Sequence, residues 1–217
     1  MEKVIYPLSH LQFNQQIPGV TLEILNHSHI LTFDNGEFIT KEGGHLNHLY
    51  FIIKGRAKVV ATQDNGKRII LQFLAVDDLI GDLTVIQAED EIKDVIAMGK
   101  TICLGIPIKI VEEMLITNND FLFYLSHYIG TKLLLRMDHF KEQQTQEVKV
   151  RLAKLLIEIA VNDEYHEKHT EIAEYLGVSY RHFMHTFKQL KDEGMVEKKS
   201  NHYMINQEKI KTFLESV

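Results

Sequence analysis

The side chains best suited to chemistry lie in one stretch of the sequence, TEIAEYLGVSYRHFMHTFKQLKDEG. Two short helical patterns flank Gly177 there, and polar residues occupy the outer face of the second pattern. A helix, a short turn and a second helix that enters the DNA major groove form a common recognition motif. The side chains that we predict to contact DNA are Ser179, Tyr180, Arg181, His182, His185, Lys188, Lys198 and Lys199.

Each of these residue types offers a different contact to a DNA duplex. Arg181 can form a bidentate pair with O6 and N7 of guanine, which is worth roughly 1–3 kcal/mol of discrimination. Tyr180 and His185 can bond base edges or phosphate, while Lys188 and Lys198 suit phosphate as point charges. The alternative for these residues is a helix face exposed to water alone.

The residues between these polar positions indicate how they would be held. Thr170 is predicted to cap the first helix, and Ser179 to cap the second, because their hydroxyls can accept from free N–H groups of a first helical turn. Gly177 suits the left-handed residue that ends a helix. The residues of the second helix predicted to face the core are Phe183, Phe187 and Leu190.

The composition limits the class of protein. The chain has 217 residues and a formal net charge of −6, which argues against a polycation that coats nucleic acid. Residues 179–203 nevertheless carry five Lys or Arg against three Asp or Glu, which is a small basic patch. The single cysteine, Cys103, excludes an intramolecular disulfide. We find neither a signal-peptide pattern nor a run of roughly 18 apolar residues, so we expect a cytoplasmic protein without a membrane span.

Residues 28–107 show the turn signals and apolar runs of short strands. Asp34-Asn35-Gly36 and Asp64-Asn65-Gly66 each lie between apolar runs, and Asn-Gly tolerates the positive φ angles of a tight hairpin. Several short strands in one segment favour a sandwich or jelly roll over alternating β and α units.

The periodicity then changes to that of one long helix over 119–144. Two apolar stripes follow neighbouring faces of this helix, and the second consists of Phe121, Tyr124, Tyr128 and Leu135. One stripe can cover the β domain, so the other predicts a helix-to-helix dimer seam. The alternative is a single broad buried face. The dimer residues predicted from the first stripe are Leu122, Leu125, Ile129, Leu133, Met137 and Phe140.

Together these motifs resemble the Crp/Fnr superfamily of bacterial transcription regulators. Gly36, Ile39, Glu42 and Gly43 match the Gly-x-x-Ile-x-x-Glu-Gly turn of its β-roll, and Ile80-Gly81-Asp82 resembles its Ile-Gly-Glu turn. The stretch YHEKHTEIAEYLGVSYRH is similar to the YeiL-type branch. The resemblance implies an α+β fold with an N-terminal double-stranded β-helix (a cyclic-nucleotide-binding-like jelly roll), a long dimerisation helix and a C-terminal winged helix-turn-helix.

The same resemblance implies domains and partners. We expect a β-roll effector domain over 1–115, a dimerisation helix over 116–144 and a winged helix-turn-helix DNA-binding domain over 145–217. Such a protein would be a sequence-specific regulator that binds a palindromic operator in double-stranded DNA as a homodimer. Two helices related by a dimer axis reach half-sites about one DNA turn apart. The loop at 162–168 lies where the family often contacts RNA polymerase.

Two departures from the family pattern modify these expectations. The family's recognition helix commonly has a Glu that accepts from cytosine N4, and Arg181 stands at that place. In nucleotide-sensing members an Arg-Ser or Arg-Thr pair holds the cyclic phosphate, whereas this chain has only Lys93 beside Asp94. We therefore predict no gating by cyclic AMP, and an unknown small-molecule effector stays open. The candidate effector residues are Gly81, Asp82, Leu83 and Lys93.

Residues with catalytic or metal-binding spacing do not stand out in the sequence. His27/His29 and His45/His48 are close pairs, but such pairs are common on the surface of a histidine-rich chain. The histidines of HEKH (166–169) are three residues apart instead of the four of the metalloprotease motif. We predict no cofactor, no metal and no enzyme activity. The competing hypothesis is a small-ligand-binding β-roll sensor whose helical C-terminal module mediates protein interaction, without salt-dependent DNA affinity.

Overall fold

The structure is a computed structural model that describes residues 17–64 and 66–217. Asn65, in the second predicted Asn-Gly turn, and residues 1–16, in the predicted effector domain, lie outside the described residues. Within the described ranges, no helix has the length and apolar character needed to cross a bilayer.

The described chain forms two compact units. We name them the β unit, which contains residues 17–61 and Gln72–Leu134, and the helical unit, which contains Thr62–Leu71 and Leu135–Val217. Domain boundaries at 115 and 144 stay predictions, because these units divide the chain by contacts rather than by function.

Strands dominate the β unit, as the turn signals predict. The elements of the roll are α1 (Leu22–Asn26), β1 (His29–Phe33), β2 (Phe38–Thr40), β3 (His48–Thr62), β4 (Arg68–Leu74), β5 (Leu79–Ile80), α2 (Asp82–Val85), β6 (Asp94–Pro107) and α3 (Ile108–Ile110), which continues as a π-helical turn (Val111–Leu115). The last residue of β3 and the first four of β4 are counted with the helical unit. The sheet runs in the order β1-β6-β3-β4, with β2 paired to β6 and β5 paired to β3. This arrangement is the expected double-stranded β-helix.

The longest pairing, between β3 and β6, shows how the roll bends. The strands are antiparallel from His48 opposite Pro107, with register shifts on either side of Lys54. Gly55 lies at the shift with a φ of +92°, and a Cβ there would stand 2.5 Å from the carbonyl oxygen of Lys100. Glycine permits this close backbone approach, and the irregularity increases the local twist of the pair.

The interior of the roll is apolar and includes the single cysteine. Leu49, Cys103, Leu104 and Ile106 are all 0% exposed. Burial raises the pKa of the Cys103 thiol to about 12. A buried thiol with so high a pKa carries almost no thiolate at neutral pH, so Cys103 is suited to packing in the core and not to thiol chemistry.

The predicted long helix is present as α4 (Asn119–Thr145). Its first half packs on the β unit through Phe121 and Leu125, which are 0% and 1% exposed. Tyr128 adds a polar link, since its hydroxyl donates to Oδ1 of Asp78 at 2.8 Å. Burial and the neighbouring Asp78 carboxylate raise the pKa of this phenol.

The dimer stripe predicted on α4 is partly wrong as a free surface. Leu125 is buried, Ile129 packs against the core of the β unit, and Leu122 is half-buried. The physical reason is that the β unit covers a side of the helix that includes residues of both predicted stripes. The members of the stripe that stay exposed are Leu133, Met137 and Phe140.

The helical unit is a winged helix-turn-helix, as predicted. Its elements are α5 (Val148–Ile159), β7 (Glu164–Tyr165), α6 (His169–Tyr175), α7 (Tyr180–Asp192), β8 (Val196–Lys198), β9 (Tyr203–Ile205) and α8 (Gln207–Glu215). The strands form a small sheet in the order β7-β9-β8. Leu152, Phe183, Leu190 and Ile210, from three different helices, are all 0% exposed and form its core.

Candidate nucleic-acid interface

The turn between α6 and α7 is held by two backbone hydrogen bonds. Gly177 has a φ of +67°, a left-handed conformation that favours glycine. Its N–H donates to the carbonyl of Glu174 at 2.9 Å, and the N–H of Val178 donates to the carbonyl of Ala173 at 3.0 Å. This pair of bonds is a Schellman motif, which ends α6 and redirects the chain toward α7.

Ser179 caps α7 as predicted, whereas Thr170 does not cap α6. The Ser179 hydroxyl accepts from the N–H of His182 at 3.2 Å. Helix α6 begins one residue before Thr170, at His169, and its N-cap is Lys168, which makes no side-chain capping bond. The turn geometry therefore fixes the start of the second helix more firmly than that of the first.

An aromatic cluster beneath α7 sets the position of this helix. Phe183 and Phe187 are 0% and 3% exposed. The ring of His169 lies 5.1 Å from that of Phe183 and 4.6 Å from that of Phe187, and the ring of Tyr203 lies 4.9 Å from Phe187. Burial lowers the pKa of His169 below its ordinary value of 6.5, so this imidazole is neutral at neutral pH. The sequence analysis missed His169 because its neighbours in the sequence are polar.

The opposite face of α7 carries the predicted base-reading side chains. Arg181, His185 and Lys188 are exposed and are spaced by four and three residues, so they share one side of the helix. Within the part of the chain that the structure describes, none of these three side chains has a hydrogen bond or an ion pair. Tyr180 and His182 are exposed at the beginning of the same helix. Together they form an unpaired polar surface.

The wing formed by β8, β9 and their turn carries the two predicted lysines. Lys199 has its Nζ 2.6 Å from Oε1 of Glu197, so its charge is partly compensated. Its N–H donates to the carbonyl of His202 at 2.9 Å, which closes the turn. Lys198 is exposed, and no described residue forms an ion pair with it. The charge of Lys198 is therefore uncompensated by the described residues, whereas that of Lys199 is partly compensated.

Two further cations, which the sequence analysis did not select, support the motif from α5. The guanidinium of Arg151 donates to the carbonyl of Leu176, at the end of α6, at 2.7 Å, and burial lowers its pKa. The Nζ of Lys149 lies 2.7 Å from Oε1 of Glu193, at the end of α7, and 4.8 Å from the ring centre of Phe213. Both residues tie α5 to the ends of the helix-turn-helix.

Three of the four candidate effector residues, Gly81, Asp82 and Leu83, lie at the start of α2. Gly81 has a φ of +97°, and a Cβ there would lie 2.7 Å from a methyl carbon of Leu46. Both the backbone conformation and the lack of space therefore favour glycine at this position. Asp82 is 7% exposed, and its Oδ2 lies 2.9 Å from Nζ of Lys132 on α4. This ammonium also lies 5.0 Å from the ring centre of Tyr128. The carboxylate of Asp82 is thus neutralised from within the β unit.

The remaining candidates do not form a cationic site. The ammonium of Lys93 donates to the backbone carbonyl of Glu91 at 2.9 Å. The next residue, Asp94, is 7% exposed, and its Oδ1 accepts from the N–H of Glu42 at 2.8 Å. Leu83 is half-buried in α2. The candidates and the residue after Lys93 thus comprise two buried carboxylates and one lysine whose ammonium bonds to a carbonyl.

Comparison with known proteins agrees with this architecture. Residues 30–118 match the model of the cyclic nucleotide-binding domain, and residues 150–210 match that of the Crp-like helix-turn-helix domain. Regulatory protein YeiL of Escherichia coli O157:H7 is 32% identical over 173 residues, which cover 80% of this chain and 79% of YeiL. The chain belongs to the Crp/Fnr family of transcription regulators.

Other Crp/Fnr proteins are similar at lower identity. The cAMP-activated global transcriptional regulator CRP of Salmonella typhimurium is 27% identical over 188 residues, which cover 81% of this chain and 89% of CRP. A solved structure assigned to the Crp/Fnr family, from Eubacterium rectale, has a TM-score of 0.71 at 18% identity and covers 97% of this chain and 98% of that one. At this identity the structural likeness shows the shared fold alone.

One exposed residue on this Crp/Fnr recognition helix was not selected from the sequence. Met184 is 36% exposed and lies three residues after Arg181 and four before Lys188, at the edge of the same face. An apolar side chain at such a place suits the methyl group of thymine. In the sequence, Met184 could have been recognised as an apolar residue that does not follow the spacing of the core residues Phe183 and Phe187.

Proposed function

We propose that this Crp/Fnr-type regulator binds a palindromic DNA operator as a homodimer, without gating by cyclic AMP. The observation that carries the DNA-binding part is the outer face of α7. There Arg181, His185 and Lys188 are aligned, exposed and without a partner among the described residues. With its side chains an α-helix such as α7 is about 10–12 Å across, which suits a major groove about 12 Å wide.

The order of residues along α7 supports separate roles for them. Arg181 is in the first turn of the helix, where residues of a recognition helix reach base edges, and its fork matches guanine. Lys188 lies two turns further along and suits a backbone phosphate, as does Lys198 on the wing. Because Arg181 stands where the family commonly has Glu, we expect a guanine at the position where an acidic residue would select cytosine.

Selection of DNA sequences with the purified protein tests this proposal. The expected product is a palindrome whose half-sites are about one helical turn apart. Its affinity, measured by fluorescence anisotropy, should fall linearly on a plot of log K against log salt, because phosphate contacts release counterions. Selection of no sequence, together with an affinity independent of salt, would favour the competing protein-interaction hypothesis.

The homodimer part rests on the exposed apolar residues of α4. Phe123, Gly130 and Met137 recur every seven residues, and Leu133 and Phe140 form the second position of the same heptad. The apolar side chains in this set are 58–77% exposed. A Cβ at Gly130 would meet no atom within 4 Å, so a second helix can approach closely there. This seam replaces Leu122, Leu125 and Ile129 of the predicted stripe with Phe123 and Gly130.

A matched pair of leucines tests the seam. Leu133 lies on it and is 58% exposed, whereas Leu135 is 56% exposed on another side of α4. Leu133→Glu should convert the dimer into a monomer in analytical ultracentrifugation and abolish tight operator binding. Leu135→Glu should leave the dimer intact. A dimer with the same dissociation constant in both variants would contradict the proposed seam.

The residues around α2 do not fit a cyclic nucleotide. The Asp82 carboxylate is paired with Lys132 at 2.9 Å, and the residue after Lys93 is Asp94, a second buried carboxylate where the family's nucleotide-binding members have a hydroxyl residue. Lys93 cannot offer the bidentate fork of an arginine to the phosphate. We expect calorimetry to detect no binding of cyclic AMP and operator affinity to be equal with and without it. Cyclic AMP that raises the operator affinity would refute this part of the proposal.

Two further partners belong to the proposal. A cavity of about 290 Å³ in the β unit, lined by Phe33, Thr40, His45 and Tyr50 among others, can hold a small effector that is not a nucleotide.

The loop at 162–168 is the proposed contact for RNA polymerase, by resemblance to the family. Transcription assays with and without cell metabolites would separate activation, repression and effector dependence.

A further inference from the structure

Three potential metal ligands share one face of the β7–β9 pair. Tyr165 of β7 lies opposite Tyr203 of β9 in an antiparallel register. Continuing this register by one residue places His166 opposite His202, and Glu164 follows on the same face because side chains alternate along a strand. Tyr165 faces the other way and is 1% exposed in the core. The packing of the tyrosine therefore fixes the face on which the three polar side chains lie.

The donor atoms of these three side chains are already close together. Nε2 of His166 lies 2.8 Å from Oε2 of Glu164, and Nε2 of His202 lies 3.9 Å from Oε1 of the same carboxylate. The two imidazole rings are stacked with their centres 5.0 Å apart. One ligand atom from each residue can be chosen so that all three lie within 4.8 Å of one another.

A hydrogen bond orients the second imidazole. Nδ1 of His202 lies 3.0 Å from Oδ1 of Asn201. In the tautomer that donates this bond from Nδ1, the lone pair of Nε2 is available on the side of Glu164. Metal-binding histidines commonly have the other ring nitrogen bonded to an oxygen in this way, because it sets the tautomer and raises the basicity of the ligand.

We propose that Glu164, His166 and His202 bind a divalent transition-metal ion of the zinc, nickel or copper class. Two imidazoles and a carboxylate suit these ions, whereas Mg²⁺ and Ca²⁺ prefer oxygen ligands alone. Two donors that share a tetrahedral zinc ion are about 3.4 Å apart, so movements on the order of 1 Å complete the site. Three protein ligands leave one position for a solvent molecule.

The position of the site allows an ion to enter. The side chains of Glu164 and His166 are 42% and 45% exposed, and that of His202 is 19% exposed. The site also joins two parts of the helical unit, because His202 belongs to the turn that carries Lys199, while Glu164 and His166 lie on the other side of β9. A bound ion would hold the wing turn to β7. The name wing for this turn comes from the proposed DNA-binding function, but the binding of a metal ion does not depend on that function.

Zinc titration of the full-length protein against a chromophoric chelator tests the site. Wild type should bind one zinc ion per chain at the site, and Co²⁺ in its place should give the visible absorption bands of a tetrahedral ion. His166→Ala, His202→Ala and Glu164→Gln should each raise the Kd for zinc at least about tenfold. The matched control is His139→Ala, which removes an exposed histidine of α4 and should leave this Kd unchanged.

Thermal unfolding provides a second readout that does not depend on the chelator. Zinc should raise the Tm of wild type and of His139→Ala, because it binds the folded state, and should raise the Tm of the three ligand variants much less. Equal Tm values without zinc would show that the ligand variants fold. The same zinc affinity in wild type and His202→Ala, or no binding by wild type, would overturn the proposal and leave an ordinary histidine–carboxylate ion pair.

Discussion

Two sets of charged side chains in this protein differ in whether the chain itself supplies their partners. In the β unit, Asp82 and Lys132 are 2.9 Å apart, and their side chains are only 10% and 16% exposed. On α7, Arg181 and Lys188 are exposed, and neither has a partner within the described chain. The charges of the first set are compensated within the chain, whereas those of the second set are open to solvent and available to a binding partner. The ion pair of Asp82 with Lys132 is consistent with the proposal that this domain does not respond to cyclic AMP.

The difference also predicts which substitutions the protein tolerates. A buried ion pair cannot lose one partner without leaving an uncompensated charge. An exposed cation such as Lys188 contributes little to folding, so it can be exchanged when the DNA partner changes. We expect substitutions at the first set to alter stability and substitutions at the second set to alter binding.

Removal of Lys132 from its buried ion pair with Asp82 should have the largest effect, which is on the free energy of unfolding. Lys132→Ala leaves the Asp82 carboxylate buried without a cation, and we expect the free energy of unfolding to fall by about 3 kcal/mol. Urea denaturation followed by circular dichroism measures this change. The matched control is Lys93→Ala, because that lysine is half-exposed and its ammonium bonds only to the Glu91 carbonyl among the described residues.

A double substitution sharpens this prediction. Asp82→Asn combined with Lys132→Ala removes both charges, so it should recover part of the lost stability. If Lys132→Ala were no more destabilising than Lys93→Ala, the ion pair of Lys132 with Asp82 would not stabilise the fold as expected.

Substitution of Arg181 should affect recognition and leave stability almost unchanged. Arg181→Ala is expected to lower discrimination at one base pair of each half-site by about 1–3 kcal/mol. The free energy of unfolding should change by less than about 0.5 kcal/mol, because the side chain is exposed and unpaired. Fluorescence anisotropy with the selected operator and its single-base variants measures the first quantity. Lys211→Ala, an exposed lysine of α8, is the control and should change neither.

The two lysines of the wing provide a smaller and more selective comparison. Lys198→Ala should weaken binding to all sequences alike and reduce the slope of log K against log salt by about 1. Lys199→Ala should reduce this slope less, because Glu197 lies 2.6 Å from its ammonium and already compensates part of its charge. Anisotropy titrations at several salt concentrations measure the change in slope for each variant. A larger change in slope for Lys199→Ala would reverse the assignment.

The smallest expected effect is a pH dependence of stability due to His169. Burial lowers its pKa in the folded state, so the unfolded state binds more protons as the pH falls below about 6.5. Its contribution to stability is therefore retained above this pH and is lost at lower pH. His169→Phe should reduce the difference in urea midpoint between pH 8 and pH 5.5, since the other titrating groups are common to both proteins. An unchanged difference would contradict this.

The local parts of the helix-turn-helix could be predicted from the sequence because their causes are local. Gly177 supplies the left-handed residue and Ser179 the cap, and both lie within four residues of the bonds that they make. The spacing of Phe183 and Phe187 places one side of α7 in the core, which leaves Arg181 exposed. The strands of the roll were likewise indicated by their turns.

The parts that could not be predicted depend on contacts between distant segments. Lys132 and Asp82 are 50 residues apart in the sequence, and neither residue type nor spacing indicates that they pair. Leu125 belongs to an apolar stripe whichever partner covers it, so the sequence could not show that the β unit does so. Glu164 and His202 were missed for the same reason, because β7 has only two residues and gives no strand pattern.

The register of β7 and β9 limits how this domain can vary in length. A slip of one residue would turn Tyr165 outward and bring Glu164 and His202 toward the apolar interior. An insertion within either strand would therefore damage the core and the ion-binding face together. Between Lys199 and Asn201, by contrast, an added residue would enlarge only the turn. Relatives should differ in length at that turn and keep the two strands unchanged.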